Sequence, residues 1–204
     1  WNSGQGDWRT NAAGILQAEL RKFGREYDLF GEWSHIGFDR YIEGCAILSK
    51  HRILKSDSGY VSASRDIFDI HARKVTFAQI HFPYVGLINV FSAHLSWWSG
   101  GFQHQFEKLR QWAGELRTEH VVATFICGDF NNKAGSRGYM QIADSGYEDQ
   151  FLRMSSPELF SKVFRDPVPG REECLADDGR IDFLFSRRGD RLRVTSAKVL
   201  FTGQ

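Results

Sequence analysis

Apolar residues recur at helical spacing in two parts of the chain. Residues 10–25 carry them on one face, with glutamine, glutamate, arginine and lysine on the other, and Gly24 is expected to end this helix. Residues 103–116 show a second apolar stripe of the same spacing. The pattern therefore predicts two amphipathic helices.

Short apolar runs bounded by polar or turn residues predict buried β-strands. Strands outnumber helices and do not alternate with them regularly, which favours an α+β or layered α/β sandwich over a doubly wound parallel sheet. The proline-containing stretch 153–179 predicts a long surface loop. The predicted strands are residues 45–48, 75–80, 87–95, 121–127, 181–185 and 192–201.

Length, net charge and cysteine content exclude several classes of protein. The chain has 204 residues, 42% of them hydrophobic, which predicts one domain with a sizeable core. Its 26 basic and 25 acidic residues leave a net charge of +1, so no broad electropositive surface for nucleic acid is indicated, although a local basic groove stays open. Three cysteines without a CxxC pair argue against a disulfide framework or thiolate zinc site and favour the reducing cytoplasm. No apolar run approaches the roughly 20 residues that cross a bilayer.

Polar residues stand where three of the apolar strands stop. They are His94, Asp129 with Asn131, and Asp182. A single histidine in a strand is usually a core residue, and a Gly-Asp-x-Asn segment is usually a turn. An aspartate between two apolar neighbours is less ordinary, because burying a carboxylate without a partner is costly. We expect these strand ends to meet at one edge of a sheet and build a site.

Taken together and in this order, these segments resemble the endonuclease/exonuclease/phosphatase superfamily of magnesium-dependent phosphoesterases. The resemblance implies a deoxyribonuclease-like α/β fold, a four-layered α/β/β/α sandwich of two mixed β-sheets. Two shorter motifs, residues 33–41 and 94–99, are similar to a bacterial branch that includes maltose 6'-phosphate phosphatase. The segments that carry the superfamily resemblance are Glu43-Gly44-Cys45-Ala46-Ile47-Leu48-Ser49-Lys50, Ser92-Ala93-His94-Leu95, Gly128-Asp129-Phe130-Asn131 and Arg180-Ile181-Asp182-Phe183.

The resemblance also implies a role for each site residue in hydrolysis by in-line attack of water. Asp129 would orient or deprotonate the water, and Asn131 would hold that water or a phosphoryl oxygen. His94 would donate a hydrogen bond to a non-bridging oxygen, while Glu43 fixes the tautomer of His94 and keeps it protonated. Asp182 matches the aspartate that pairs with a second histidine. Asp129 and Asn131 would be ligands of Mg²⁺, with Mn²⁺ as an alternative.

Parts of the family pattern have no counterpart in this sequence. The N-terminal asparagine, the main magnesium-binding glutamate and the C-terminal Ser-Asp-His segment are missing. We therefore expect a single domain over residues 1–204 that is incomplete at both ends, with its terminal strands missing. The alternative is an authentic domain that has lost activity. The intact set of His94, Asp129, Asn131, Asp182 and Glu43 favours the incomplete domain.

Residues near these motifs predict contacts with the substrate. Trp97 and Trp98 follow the site histidine, and sugars and nucleobases both stack on such rings, although either tryptophan could instead pack as core. A second group lies in the preceding motif, interpreted as a loop, and could read hydroxyls and a phosphate unless it is simply solvated. Arg73 and Lys74 open a strand and could add positive charge to the site, although they are interpreted as exposed edge charges, which more often deter aggregation. The second group consists of His35, Asp39 and Arg40, while Tyr41 and Trp33 of the same motif are predicted to add aromatic faces beside the site.

Three functions remain open on this evidence. We favour a magnesium-dependent phosphomonoesterase whose partner is a small phosphorylated metabolite, most of all a sugar phosphate. A nuclease on the same fold and an inactive binding module are the alternatives. A closed, aromatic-walled pocket would favour the phosphatase, and a continuous basic groove beside His94 would favour the nuclease. The oligomeric state is not determined by these features.

Overall fold

The computed structural model describes residues 10–38, 40–154 and 179–197. A 3₁₀ turn spans Trp98–Gly100. None of the helices in these ranges is both long and apolar enough to span a lipid bilayer. The helices are α1 (Ala12–Lys22), α2 (Phe102–Glu115), α3 (Arg137–Asp144) and α4 (Gln150–Arg153), and the strands are β1 (Asp28–Gly37), β2 (Tyr41–Ser49), β3 (Ile53–Tyr60), β4 (Lys74–Phe82), β5 (Gly86–His94), β6 (Val121–Asp129), β7 (Tyr147–Asp149) and β8 (Asp182–Arg187).

The strands form two sheets. The small sheet pairs β1 and β2 antiparallel, and the large sheet has the order β3-β4-β5-β6-β8-β7. Among the described strands of the large sheet, only β5 and β6 run parallel, because α2 carries the chain back between them as a crossover. Helix α1 contacts the small sheet, which packs on β4 and β5, while α2 and α3 cover the opposite face of the large sheet. The predicted layered α/β fold with two β-sheets is confirmed.

Strand β4 shows how the two layers of core arise from one apolar run. Val75 and Phe77 belong to the larger core, between the large sheet and the helices. Ala78 and Ile80 pack instead with Ile47 of the small sheet. Because successive side chains of a strand alternate between faces, a strand covered on both sides is buried at every position and mostly apolar. This is why residues 75–80 are all buried, with Thr76 and Gln79 as the two polar members of the run.

Most predicted elements are present in the structure. Helix α1 begins at Asn11, whose side chain accepts a hydrogen bond from the Gly14 amide at 2.7 Å, and Gly24 with φ +68° lies just past its end. The predicted helix over residues 103–116 is α2, and five of the six predicted strands fall on β2, β4, β5, β6 and β8.

Other parts of the sequence pattern were wrong or incomplete. Strands β1 and β3 were not predicted, because their many polar and half-buried side chains form no apolar run. The strand predicted over 192–201 is wrong for residues 192–197, which have no regular structure, and its remainder lies outside the described residues. Residues 155–178, most of the predicted surface loop, lie outside them as well.

Two of the cysteines are free thiols in the interior. Burial raises the pKa of Cys45 to about 12 and that of Cys127 to about 11. The Cys127 thiol donates to the Phe91 carbonyl at 3.3 Å. Since the thiolate is the nucleophile, neither cysteine is suited to covalent catalysis. Cys174 lies outside the described residues.

Candidate active site

Three strands of the large sheet place titratable side chains next to one another at one edge. His94 ends β5 and pairs in register with Asp129, which ends β6. Asp129 pairs in turn with Asp182, the first residue of β8. Because paired residues on adjacent strands point to the same face, the three side chains project together towards the small sheet. Glu43 of β2 approaches His94 from that sheet.

The turn after β6 is held by hydrogen bonds from its own residues. The Asn131 amide donates to Asp129 Oδ1 at 2.7 Å, and the Asn131 side-chain amide donates to the Leu95 carbonyl at 2.8 Å. Asn131 has φ +49°, a left-handed conformation that asparagine adopts more readily than most residues. At Gly128 an added Cβ would lie 2.0 Å from the Ala93 carbonyl oxygen, so β5 and β6 approach this closely only with glycine there.

Two histidines and two carboxylates alternate across the site. We call His35, Glu43, His94 and Asp129 the histidine–carboxylate row. Three distances connect the row. His35 Nε2 lies 3.3 Å from Glu43 Oε2, and the same oxygen lies 3.6 Å from His94 Nδ1. His94 Nε2 lies 3.7 Å from Asp129 Oδ2. Each ring nitrogen of His94 thus faces a different carboxylate, which orients its ring.

Burial is the largest influence on the pKa values of His94 and Asp129 in this row. Burial, reinforced by the charge of Arg73, lowers the pKa of His94 to about 4, although Glu43 acts in the opposite direction. Burial and Arg73 therefore favour the uncharged ring, in the opposite direction to the expected role of Glu43 in keeping it protonated. Contact with His35 lowers the pKa of Glu43, whereas burial raises the pKa of Asp129 and of Asp182.

The sequence did not reveal the buried cation of this site, Arg73. It was interpreted as an exposed edge charge, yet its side chain is only 2% exposed. Its Nε donates to Ser96 Oγ at 3.2 Å, its Nη1 has no hydrogen-bond partner, and its charge acts on Glu43, His94 and Asp129. A signal was present: Arg73 precedes the buried Val75 by two residues, as an inward residue of the same strand would.

The side chains within residues 33–41 that were predicted to bind substrate differ in location and exposure. His35 lies in strand β1 rather than in a loop, and its ring is 1% exposed and contacts Glu43. Asp39 lies outside the described residues. Arg40 is exposed and places its guanidinium 5.2 Å from the centre of the Tyr41 ring. Tyr41 begins β2 and so lies two residues from Glu43.

The two tryptophans predicted to contact substrate differ in their exposure. Trp97 is 47% exposed, and its ring lies 6.0 Å from the Arg73 guanidinium carbon. Trp98 packs against the larger core and beside Phe102, with the guanidinium of Arg137 4.6 Å from its ring. Of the two, Trp97 has the surface to meet a ligand.

A cavity of about 680 Å³ opens beside Glu43 and His94. Its lining is mainly apolar, and its aromatic walls are Trp33, Phe38 and Tyr41. Arginine and lysine are absent from the part of the lining that the structure describes. The volume lies in the range of small-molecule sites, and the aromatic walls suit a ligand with an apolar face.

The comparison with protein families agrees with this arrangement of strands and side chains. A model of the endonuclease/exonuclease/phosphatase family matches residues 4–203, nearly the whole chain. The chain belongs to this family. Members of the endonuclease/exonuclease/phosphatase family are phosphoesterase hydrolases and are generally dependent on a divalent metal. No curated protein sequence matches the chain.

Solved structures of family members share the fold. A family protein from Leptotrichia buccalis C-1013-b is 24% identical, with a TM-score of 0.66 over 87% of this chain and 66% of its own. The human Nocturnin catalytic domain, solved with bound sulfate, is 14% identical, with a TM-score of 0.62 over 90% of this chain and 67% of its own. The mannosyl-6-phosphatase of Bacteroides thetaiotaomicron VPI-5482 is 13% identical, with a TM-score of 0.58 over 86% of this chain and 68% of its own. The chain thus spans about two thirds of the length of these proteins.

The described residues fit part of the metal site that this family requires. Magnesium and manganese take carboxylate and amide oxygens, and Asp129, Asn131 and Asp182 supply such oxygens at one sheet edge. Two adjacent carboxylates also favour a cation near them. Within residues 10–38, 40–154 and 179–197, however, no group of three histidine, cysteine, aspartate or glutamate side chains is placed to hold a metal ion.

Proposed function

We propose that this chain belongs to a divalent-metal-dependent phosphomonoesterase that hydrolyses a small phosphorylated metabolite, with sugar phosphates as the favoured class. The observation that carries the proposal is the position of His94 between two carboxylates beside an aromatic-walled cavity. Sugar rings present apolar C–H faces that suit such walls. The fold shared with a mannosyl-6-phosphatase is in keeping with this class.

The site residues divide the work of phosphate-ester hydrolysis between them. Asp129 would orient or deprotonate the attacking water, and burial, which raises its pKa, makes it a stronger base. His94 would form a hydrogen bond with a non-bridging phosphoryl oxygen, while Glu43 holds the ring in place. Asp129 and Asn131 would contribute oxygen ligands to a divalent cation. When bound, that cation would neutralise charge on the phosphoryl oxygens.

A nuclease is the second candidate, because the fold is also shared with zebrafish TDP2 solved with a single-stranded DNA product, at 18% identity and a TM-score of 0.51. A nuclease would need cations that follow the nucleic-acid backbone. The described lining of the cavity contains Glu32 and Glu43 but no arginine or lysine. This charge pattern favours a small substrate over a polynucleotide.

A substrate panel tests the proposed function. The full-length protein with Mg²⁺ or Mn²⁺ is incubated with sugar phosphates, a phosphodiester reporter, and single- and double-stranded DNA, and released phosphate or cleaved DNA is measured. We expect at least one sugar phosphate to be hydrolysed with a kcat/KM about 10-fold or more above that of the diester. Faster cleavage of the diester or DNA would favour the nuclease. Absence of hydrolysis of every ester would leave the inactive binding module.

Arg73 supplies the buried positive charge that the proposed chemistry needs. We expect Arg73→Met to lower kcat/KM about 100-fold, because Glu43 and Asp129 would lose the cation beneath them. The free energy of unfolding should stay within about 1 kcal/mol of the parent value, since an apolar side chain of similar volume replaces a buried charge that has no ion-pair partner among the described residues. Both quantities are measured, by steady-state kinetics and by urea unfolding.

The neighbouring cation is the matched control for this substitution. Lys74 is 18% exposed and contacts Glu32 at 3.4 Å. Lys74→Met should change kcat/KM less than about 3-fold, because a more exposed charge is screened by solvent. If Arg73→Met retained the parent activity, the buried guanidinium would have no part in the reaction.

A further inference from the structure

His35 is a buried histidine that the proposed reaction does not use directly. We propose that His35 is a positioning residue, whose ring fixes the Glu43 carboxylate and, through it, the orientation of the His94 ring. This proposal rests on the proposed phosphoesterase function. It differs from the sequence-based prediction that His35 contacts the substrate.

One carboxylate oxygen connects the two histidines. Glu43 Oε2 lies 3.3 Å from His35 Nε2 and 3.6 Å from His94 Nδ1. The Glu43 side chain is 27% exposed, whereas His35 is 1% exposed. His35 therefore contacts Glu43 from the protein interior, and His94 contacts it on the side of the site. A shift of this oxygen would change the surroundings of both rings.

A β-bulge directs His35 inward. The register of β1 and β2 shifts between Trp33 and His35, so that Trp33 pairs with Gly44 and His35 pairs with Glu43. Ser34 is the additional residue, and Ser34 and His35 are both buried although consecutive side chains of a regular strand face opposite sides. Bulges of this kind redirect side chains next to active sites. Here the bulge places the His35 ring directly against Glu43.

Hydrogen bonds around Ser34 hold the bulge in place. Ser34 Oγ donates to the Ala72 carbonyl at 2.7 Å and accepts from the Lys74 amide at 2.9 Å. His35 Nδ1 lies 3.4 Å from Ser34 Oγ, a long contact that leaves the ring proton available to Nε2. His35 Nε2 is buried without a hydrogen bond of good geometry, so the nearby Glu43 carboxylate is the group that compensates its polarity.

The other oxygen of Glu43 is confined as well. A Cβ at Gly37 would lie 2.1 Å from Glu43 Oε1, so this side of the carboxylate packs against the Gly37 backbone. Glu43 is thus enclosed by Gly37, His35 and His94. Of these contacts, only His35 offers a polar group from the interior. Removing that group should leave the carboxylate in place but free to rotate.

Four variants of the full-length protein with Mg²⁺ test the proposal, assayed on the best ester of the substrate panel. His35→Phe retains the ring without nitrogens, and we expect it to lower kcat about 10-fold while KM changes less than about 3-fold. His35→Gln can present its amide near the position of Nε2 and should restore most of kcat. His35→Asn presents its amide nearer the position of Nδ1 and should not. If His35→Phe does not fold, the Gln and Asn pair still decides the question. His51→Phe is the matched control. The His51 ring packs against Phe82, with 4.3 Å between the ring centres, and belongs to no part of the row, so this variant should leave kcat unchanged.

Two further measurements separate positioning from general destabilisation. In a Glu43→Gln background, His35→Phe should lower kcat less than about 2-fold further, because the two residues act through one another. The ¹⁵N and ring ¹H NMR signals of His94 should shift in His35→Phe and stay unchanged in His51→Phe. Fully additive losses of kcat, or unchanged His94 signals in His35→Phe, would overturn the proposal. If no ester were hydrolysed at all, the proposed function would fail, while the His94 signals would still decide the role of His35.

Discussion

Asp129→Asn is expected to lower kcat/KM about 10³-fold while leaving the fold intact. Asparagine retains an oxygen that can accept the hydrogen bond from the Asn131 amide, 2.7 Å from Asp129 Oδ1 in the parent protein. It loses the negative charge and the basicity that orient or deprotonate water and bind a cation. General-base and electrostatic contributions of this kind are typically worth about 10²–10⁴-fold. The measurement is steady-state hydrolysis of the best sugar phosphate, together with thermal unfolding.

A surface aspartate provides the control for this substitution. Asp144, at the end of α3, is exposed, and Asp144→Asn removes the same charge far from the row. It should change kcat/KM less than about 2-fold, because exposed charges at a distance are screened. If Asp129→Asn retained more than about one third of the parent activity, Asp129 would not be the group that activates water.

Asp149→Ala is expected to lower the free energy of unfolding by about 3–5 kcal/mol. The Asp149 side chain is 1% exposed, and both of its oxygens are used. Oδ1 accepts from the amides of Phe151 and Leu152 at 3.0 and 3.2 Å and caps α4. Oδ2 accepts from the Tyr139 hydroxyl at 3.2 Å and from Arg180 at 3.0 Å. Alanine would remove the carboxylate from a largely buried ion pair and hydrogen-bond network, which is costlier than the loss of an exposed ion pair.

The effect should extend to the active site. Arg180 lies two residues before Asp182, and its carbonyl accepts from the Ala134 amide at 3.1 Å. Urea unfolding measures the loss of stability. Glu107→Ala is the control, since the Glu107–Arg110 pair is about half exposed and its loss should cost less than about 1 kcal/mol. Equal losses for the two variants would show that burial of the Asp149 pair contributes nothing.

The site was predictable wherever its residues are part of a local pattern. Asp129 and Asn131 lie on one turn directly after an apolar strand, and His94 and Asp182 lie at the ends of two others. These relations are short in sequence, so strand ends and turn residues identify them. Whether each residue performs its predicted role stays a prediction. What the structure adds is their proximity to Glu43, across the gap between the two sheets.

His35 and Arg73 were misread for a common reason. Their burial depends on elements distant in the sequence: the bulge against β2 for His35, and Ser96 beyond β5 for Arg73. Polar and charged side chains near strand ends are usually exposed, and a single sequence carries no sign of a bulge. Only packing between the sheets shows that both side chains are enclosed beside the site.

Local patterns in the sequence were enough to predict the α/β class, the two long helices, most buried strands and the resemblance to a family of phosphoesterases. Those features follow from periodicity and from motifs only a few residues long. The tertiary structure decided how the site residues meet: parallel β5 and β6 align His94 with Asp129, and the small sheet brings Glu43 to His94. It also sets the pKa of His94, which burial and Arg73 together lower more than Glu43 raises it. Such effects depend on distances through space, which spacing along a chain does not contain.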